Sequence, residues 1–145
     1  MRNVQIIEFD ATQTIRGYAA MRELRTHLTG PDAFVRQVDE AQRPEGYRLI
    51  GACEEPDGDA VAVAGFRPGH NLIWGHYLYV DDLSTLPRAR GLGYASALLT
   101  WVDAEADRLG CDQVHLDSGT DRHPAHRVYL RNRYDITAFH FGKHR

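Results

Sequence analysis

The sequence predicts an α/β fold: one mixed central sheet of about six strands flanked by four helices. Two observations carry this. Strand-like and helix-like stretches are interleaved along the chain, and three consecutive strand-like segments in its middle are separated by compact turn chemistry. The order is strand, two helices, three antiparallel strands, helix, strand, helix, strand, which places parallel and antiparallel neighbours in a single sheet.

Residues 3–9 form the first expected strand, with Val4, Ile6 and Ile7 as its apolar mass. Asp10 or Thr12 caps a helix that carries Ile15, Tyr18, Met21, Leu24 and Leu28 at spacings near three and four. The stretch TGPDAF breaks it, and Pro31 with Asp32 opens a second, shorter helix over Phe34, Val35 and Val38. Residues 47–53, 60–66 and 73–83 read as strands, joined by EEPDGD and RPGHN. From Ala95 the apolar residues Leu98, Leu99, Val102, Ala106 and Leu109 line one helical face, and Gly110 ends it. DQVHLD gives a strand with Val114 and Leu116 on alternate positions. A helix from Pro124 to about Arg133 follows, and ITAFHF is expected as the last strand.

The chain has 145 residues, of which 43% are hydrophobic and 26% charged, the balance of one ordinary globular domain over 1–145. A formal net charge of −3 supplies no basic field for nucleic acid or a membrane surface. No apolar run has the length of a signal peptide or a membrane span. Cys53 and Cys111 lie far apart without metal-ligand spacing, which suits reduced thiols in the cytoplasm.

The segment LPRARGLGYASALL sets glycines and arginines against the start of the long helix. Gly91 and Gly93 let backbone come close to a ligand, and the helix start offers unpaired N–H groups with a partial positive charge. That combination suits a phosphate or pyrophosphate. No Lys-Ser or Lys-Thr follows the glycines, which excludes a P-loop, and the loop comes too late in the chain for a dinucleotide-binding unit. An Arg-x-x-Gly-x-small pattern fits in two registers, beginning at Arg88 or at Arg90.

On these residues the chain resembles the GNAT superfamily of acyl-CoA-dependent N-acetyltransferases over nearly its full length. The resemblance favours the second register, because Pro87 and the Ser96-Ala97-Leu98-Leu99 run flank it as they do in the family. It implies that Arg90-Gly91-Leu92-Gly93-Tyr94-Ala95 binds acetyl-CoA as cosubstrate, and leaves Arg88 as a solvated extra. It also implies that the backbone of Leu83, Ser84 and Thr85 pairs with pantetheine like an added strand. AHRVY, residues 125–129, resembles the family segment whose tyrosine sits near the cofactor sulfur, and HLDSG…R…AHR-x-Y resembles one subgroup of small bacterial-type members. Where the family commonly has Gly-Phe past that tyrosine, this chain has Arg133-Tyr134, so a changed or strained turn is expected.

Acetyl transfer to an amine needs a neutral nucleophile, donors for the oxyanion and a proton for the leaving thiolate. Tyr129 is the expected general acid, since a phenol carries its proton at neutral pH. Asp82, or water held by it, is the first choice for the base and His115 the second. Asp81, Asp117 and His126 are expected around the acceptor amine, and Glu54, Glu55 and Asp57 hint at a cationic one. Eight histidines are present, but neither His-Glu-x-x-His nor a cysteine pair accompanies them, so no metal site is expected. Two readings stand: an N-acetyltransferase acting on a small-molecule or peptide amine by direct attack, or a non-catalytic acyl-CoA-binding module of the same fold. The chain ends soon after its last expected strand, leaving a sheet edge that a homodimer would cover.

Overall fold

A long hairpin dominates the sheet. β3 (Ala62–Asn71) and β4 (Gly75–Thr85) run antiparallel; β3 reaches further toward the turn than the sequence pattern predicts, while β4 starts and ends two residues later than expected. The computed structural model describes residues 4–145, so Asn3 of the first expected strand lies outside the described residues. β1 (Gln5–Phe9) and β2 (Arg48–Cys53) continue the antiparallel part on one side, and β5 (Gln113–Leu116) adds in parallel to β4 on the other. The strand order is β1-β2-β3-β4-β5.

Four α-helices cover this sheet among the described residues: α1 (Tyr18–Leu24), α2 (Pro31–Arg36), α3 (Tyr94–Leu109) and α4 (His123–Arg131). Strand alternation sorts the core into two layers. Ile50, Ala52, Ala62, Ala64, Phe66, Leu78 and Val80 pack with Leu98, Leu99 and Val102 of α3 and Tyr129 of α4. On the opposite face Phe9, Leu49, Cys53 and Val63 pack with Ala20 and Met21 of α1, Phe34 of α2 and Val38. Each fully buried leucine of α3 contributes about 1.5–3 kcal/mol to this packing.

The first helix is shorter than its periodicity predicts. Arg25 leaves helical geometry (φ −100°, ψ 71°), and its side chain turns to β4 instead. Leu28 still packs on the second core layer, from outside the helix.

The expected sixth strand is absent among the described residues, so the sheet has five strands rather than about six. Residues 136–141 form no strand, and Ile136, Phe139 and Phe141 stand exposed. A strand needs a ladder partner and a surface to bury one face. The tail has no ladder partner here, and His140 Nδ1 lies 3.2 Å from Asp117, the residue after β5.

One irregularity sets the site. Gly65 faces Asp82 and Phe66 faces Val80, so Asp81 is an extra residue in β4, a β-bulge. The bulge shifts parity. Val80 and Leu83 therefore share one face, while Asp82 turns to the other, where Tyr47 occupies the space that a Gly65 side chain would need.

Candidate active site

α3 begins at Tyr94 after a loop in which Gly91 (φ 76°) and Gly93 (φ 87°) both take left-handed backbone. Nothing lies within 4 Å of where a side chain on either glycine would start, so the backbone faces open space. The first helical bond that reaches into the loop runs from the Ala97 N–H to the Gly93 carbonyl, which leaves the N–H groups ahead of it, from Gly91 to Ala95, without backbone acceptors. Arg90 holds this loop to the end of β4: its Nε donates to the Thr85 carbonyl at 3.3 Å. Arg88 instead pairs with Glu54 at 3.1 Å, well exposed. Leu92 is exposed at the loop's crest, and Tyr94 is buried with its hydroxyl 3.4 Å from Glu54.

β5 ends opposite Val80, so residues 81–85 of β4 pair only with β3. The Leu86 N–H bonds to Val61 across that pair, and alternation then aims Leu83 and Thr85 at the unpaired edge. Two arginines confirm the phase, since the Asp81 and Thr85 carbonyls accept from Arg25 and Arg90. Ser84 points away, its hydroxyl donating to the Ala20 carbonyl at 2.6 Å. Leu83 thus has free backbone on an open edge.

A cavity of about 270 Å³ opens where β4 and the chain after β5 part. Leu24 at the end of α1 and Arg25 just past it line the cavity, with Asp81 and Leu83 from β4, Asp117 and Arg122 from the loop after β5, and Tyr129 from α4. Tyr129 is only 7% exposed, and its hydroxyl has no hydrogen-bond partner among the described residues. No fully enclosed side-chain oxygen or nitrogen among the described residues lacks a partner, so this hydroxyl keeps some access to solvent, on a residue that lines the cavity. Burial pushes the Asp81 carboxyl above its usual range, against the pull of Arg67 at 3.0 Å.

The site combines a loop of unpaired amides suited to an anion, an open strand edge, and a pocket lined by a buried phenol. Residues 14–133 match the family described as "Acetyltransferase (GNAT) family". The chain belongs to the GNAT acetyltransferase family. It is 32% identical over 128 residues, 87% of each chain, to the uncharacterized N-acetyltransferase YhdJ of Bacillus subtilis (strain 168). It is 38% identical over 64 residues to the aminoalkylphosphonate N-acetyltransferase of Salmonella typhimurium, a match that covers 44% of this chain and 42% of that one. The fold matches a structure titled as aminoglycoside N-acetyltransferase AAC(6')-Iy in complex with CoA, with a TM-score of 0.83 at 16% identity, over 99% of this chain and 95% of that one.

Within this GNAT chain the pocket gathers Asp81, Leu83, Asp117 and Tyr129 and leaves three expected residues outside its lining. Asp82 is buried with both oxygens taken, Oδ1 by Arg25 at 2.8 Å and Oδ2 by the Tyr47 hydroxyl at 2.8 Å. His115 stacks on Trp74 with ring centroids 3.6 Å apart, bonds Gln113, and has its pKa lowered by burial. His126 bonds the Gly119 carbonyl at 2.7 Å and so fastens the loop that lines the cavity. Asp117 accepts from the Tyr79 hydroxyl. Of the acidic trio near residue 54, none lines the cavity. Among the described residues no group of three or more His, Cys, Asp or Glu could hold a metal ion.

The exit turn after Tyr129 has full helix-ending geometry despite its arginine. Arg133 adopts φ 71°, its N–H bonds the Leu130 carbonyl, and the Tyr134 N–H bonds the Tyr129 carbonyl. These are the two bonds of a Schellman cap with Arg133 in the glycine's place. Asn132, which the sequence left unassigned, donates to Ser96 Oγ at 3.0 Å and ties this cap to the first turn of α3. Arg25, Tyr47, Arg67 and Arg122 also lacked any sequence cue beyond their charge or size.

Proposed function

We propose that this protein transfers the acetyl group of acetyl-CoA to a primary amine of a small molecule or peptide by direct attack, with Tyr129 as the acid. The observation that carries the reading is Tyr129, which lines the cavity beside a fixed cap and whose hydroxyl has no hydrogen-bond partner among the described residues. The cosubstrate fits the residues present: N–H groups of Gly91, Leu92, Gly93, Tyr94 and Ala95 for pyrophosphate, and the Leu83 edge for pantetheine amides. The amine nitrogen bonds to the acetyl carbon, the carbon–sulfur bond breaks, and Tyr129 supplies the proton that the leaving sulfur takes up. Asp81, which lines the cavity and is held in a raised pKa range, takes the amine's proton in place of the fully engaged Asp82.

The Salmonella relative's name and the aminoglycoside enzyme's title support a small-molecule amine as acceptor. The binding-module alternative drew on an altered turn after Tyr129, and that turn forms. Both cysteines are free, which supports a reducing compartment such as the cytoplasm. Exposed Ile136, Phe139 and Phe141 support a homodimer, and light scattering at high micromolar concentration checks it.

The deciding experiment is thiol release from acetyl-CoA with a panel of amines, run on wild type and Tyr129→Phe. The variant keeps the ring and loses the proton. Turnover is expected to fall by about 10²–10⁴ with CoA affinity unchanged. Full turnover in a folded variant removes Tyr129 from the acid role.

A further inference from the structure

The charges around the cavity are matched with one exception. Arg25 is spent on Asp82 and on the Asp81 carbonyl. Asp81 is held by Arg67, and Asp117 by Tyr79 and His140. Arg122 lines the same cavity, half-buried at the residue that caps α4, and its guanidinium has no hydrogen bond or ion pair to any described residue. Its backbone is fixed, with the N–H bonded to the Gly119 carbonyl at 3.2 Å, and its stem lies against Gly119. An arginine that lines a pocket without a counter-charge leaves its N–H donors available to an anionic ligand.

We propose that the acceptor is a short amine that also carries an anionic group, a phosphonate or a carboxylate, and that Arg122 holds that group. The inference rests on the acetyl-transfer reading above and specifies its acceptor. Arginine's planar fork bonds a carboxylate or phosphonate through two parallel N–H groups, and a neutral amine gives it nothing comparable. The cavity's volume of about 270 Å³ lies at the small end for ligand pockets, which suits a short acceptor. Asp81 stands in the same cavity to receive the nitrogen's proton, so the two ends of a zwitterion meet groups of opposite sign.

The test compares 2-aminoethylphosphonate and β-alanine with propylamine and ethanolamine as acceptors, in wild type, Arg122→Gln and Arg122→Lys. In wild type an anionic amine is expected to exceed propylamine in kcat/KM by at least about tenfold, as a charge-assisted hydrogen bond warrants. Arg122→Gln should erase that preference mainly through the acceptor KM, Arg122→Lys should restore part of it, and CoA affinity should stay within about twofold. The larger of the two anionic rates tells phosphonate from carboxylate. Equal use of charged and neutral amines by wild type overturns the proposal. So does a Gln variant that keeps the preference, or one that loses CoA affinity instead. If acetyl-CoA binds and no amine releases thiol, the acetyl-transfer reading fails on its own. Calorimetry of 2-aminoethylphosphonate with the CoA-bound protein then still decides the anion site: binding lost in Arg122→Gln supports it, and no binding to wild type rejects it.

Discussion

The backbone amide of Tyr134 donates to the carbonyl of Tyr129 at 3.0 Å, and the two rings meet edge to face with centroids 6.3 Å apart. One residue therefore fixes both the main chain and the ring of the proposed acid. The contact is possible because the intervening Arg133 accepts left-handed backbone, a conformation that costs an L-residue about 1–2 kcal/mol.

Arg133→Gly should relieve that cost, less the extra freedom it gives the unfolded chain, for a net gain of up to about 1 kcal/mol. Thermal unfolding should show a rise of about 2–4 °C, with Arg133→Val shifting the other way. An unchanged or lower melting temperature in the glycine variant would contradict the strain.

Gly93→Val forces a β-branched residue into left-handed backbone where a pyrophosphate would approach. CoA affinity is expected to fall at least about tenfold, or about 1.4 kcal/mol, while Arg88→Ala changes it little. Titration calorimetry on the two variants checks the placement. A large loss at Arg88 alone would move the motif to the earlier register.

Asp81 and Asp82 should separate cleanly. With its pKa raised from 3.8 by burial, Asp81 becomes a competent base only as pH climbs past a value above the ordinary carboxylate range. The acid limb of kcat/KM should sit there in wild type and disappear in Asp81→Asn, with activity down by about 10²-fold or more. Asp82→Asn removes the ion pair with Arg25 but keeps an acceptor for Tyr47, so it should lower the melting temperature and spare most of kcat. The pH profile and the melting curve of the two variants tell them apart.

Glu105 offers a stability test away from the site. Hydrogen bonds from Arg108 and then Arg48 hold its pKa at about 2, down from 4.5. A lowered folded-state pKa means stability that is complete above about 4.5 and lost as pH falls towards 2. Glu105→Gln should flatten the unfolding profile across that window, and denaturant midpoints measured from pH 2 to 6 would show it.

What was legible in the sequence was local. The glycine loop and α3 follow from residues that are neighbours in the chain, because capping, helical periodicity and left-handed glycines need no distant partner. Tyr129 was legible by its spacing within a family segment. Arg25, Tyr47 and Arg67 were not, since their meaning comes from carboxylates on another element, and neither charge nor size announces such a pairing. Alternation in the sequence allowed one of Asp81 and Asp82 to face the cleft without saying which, and the bulge that sorts them is visible only once β3 and β4 are paired. The missing strand at 136–141 has the same cause: an apolar run specifies a strand only where a ladder and a surface await it.

The bulge has a consequence for length. Because Asp81 is the surplus residue of β4, removing it would leave Val80 opposite Phe66 and Asp82 opposite Gly65, with every other side chain on its present face. A single deletion inside either regular stretch of β4 would instead turn one part of the strand inside out. Loss of one residue from the Asp81-Asp82 pair is thus the subtraction that the sheet accommodates, and an inherited loss there would leave a folded protein whose cavity keeps Asp117 but not the bulge carboxylate.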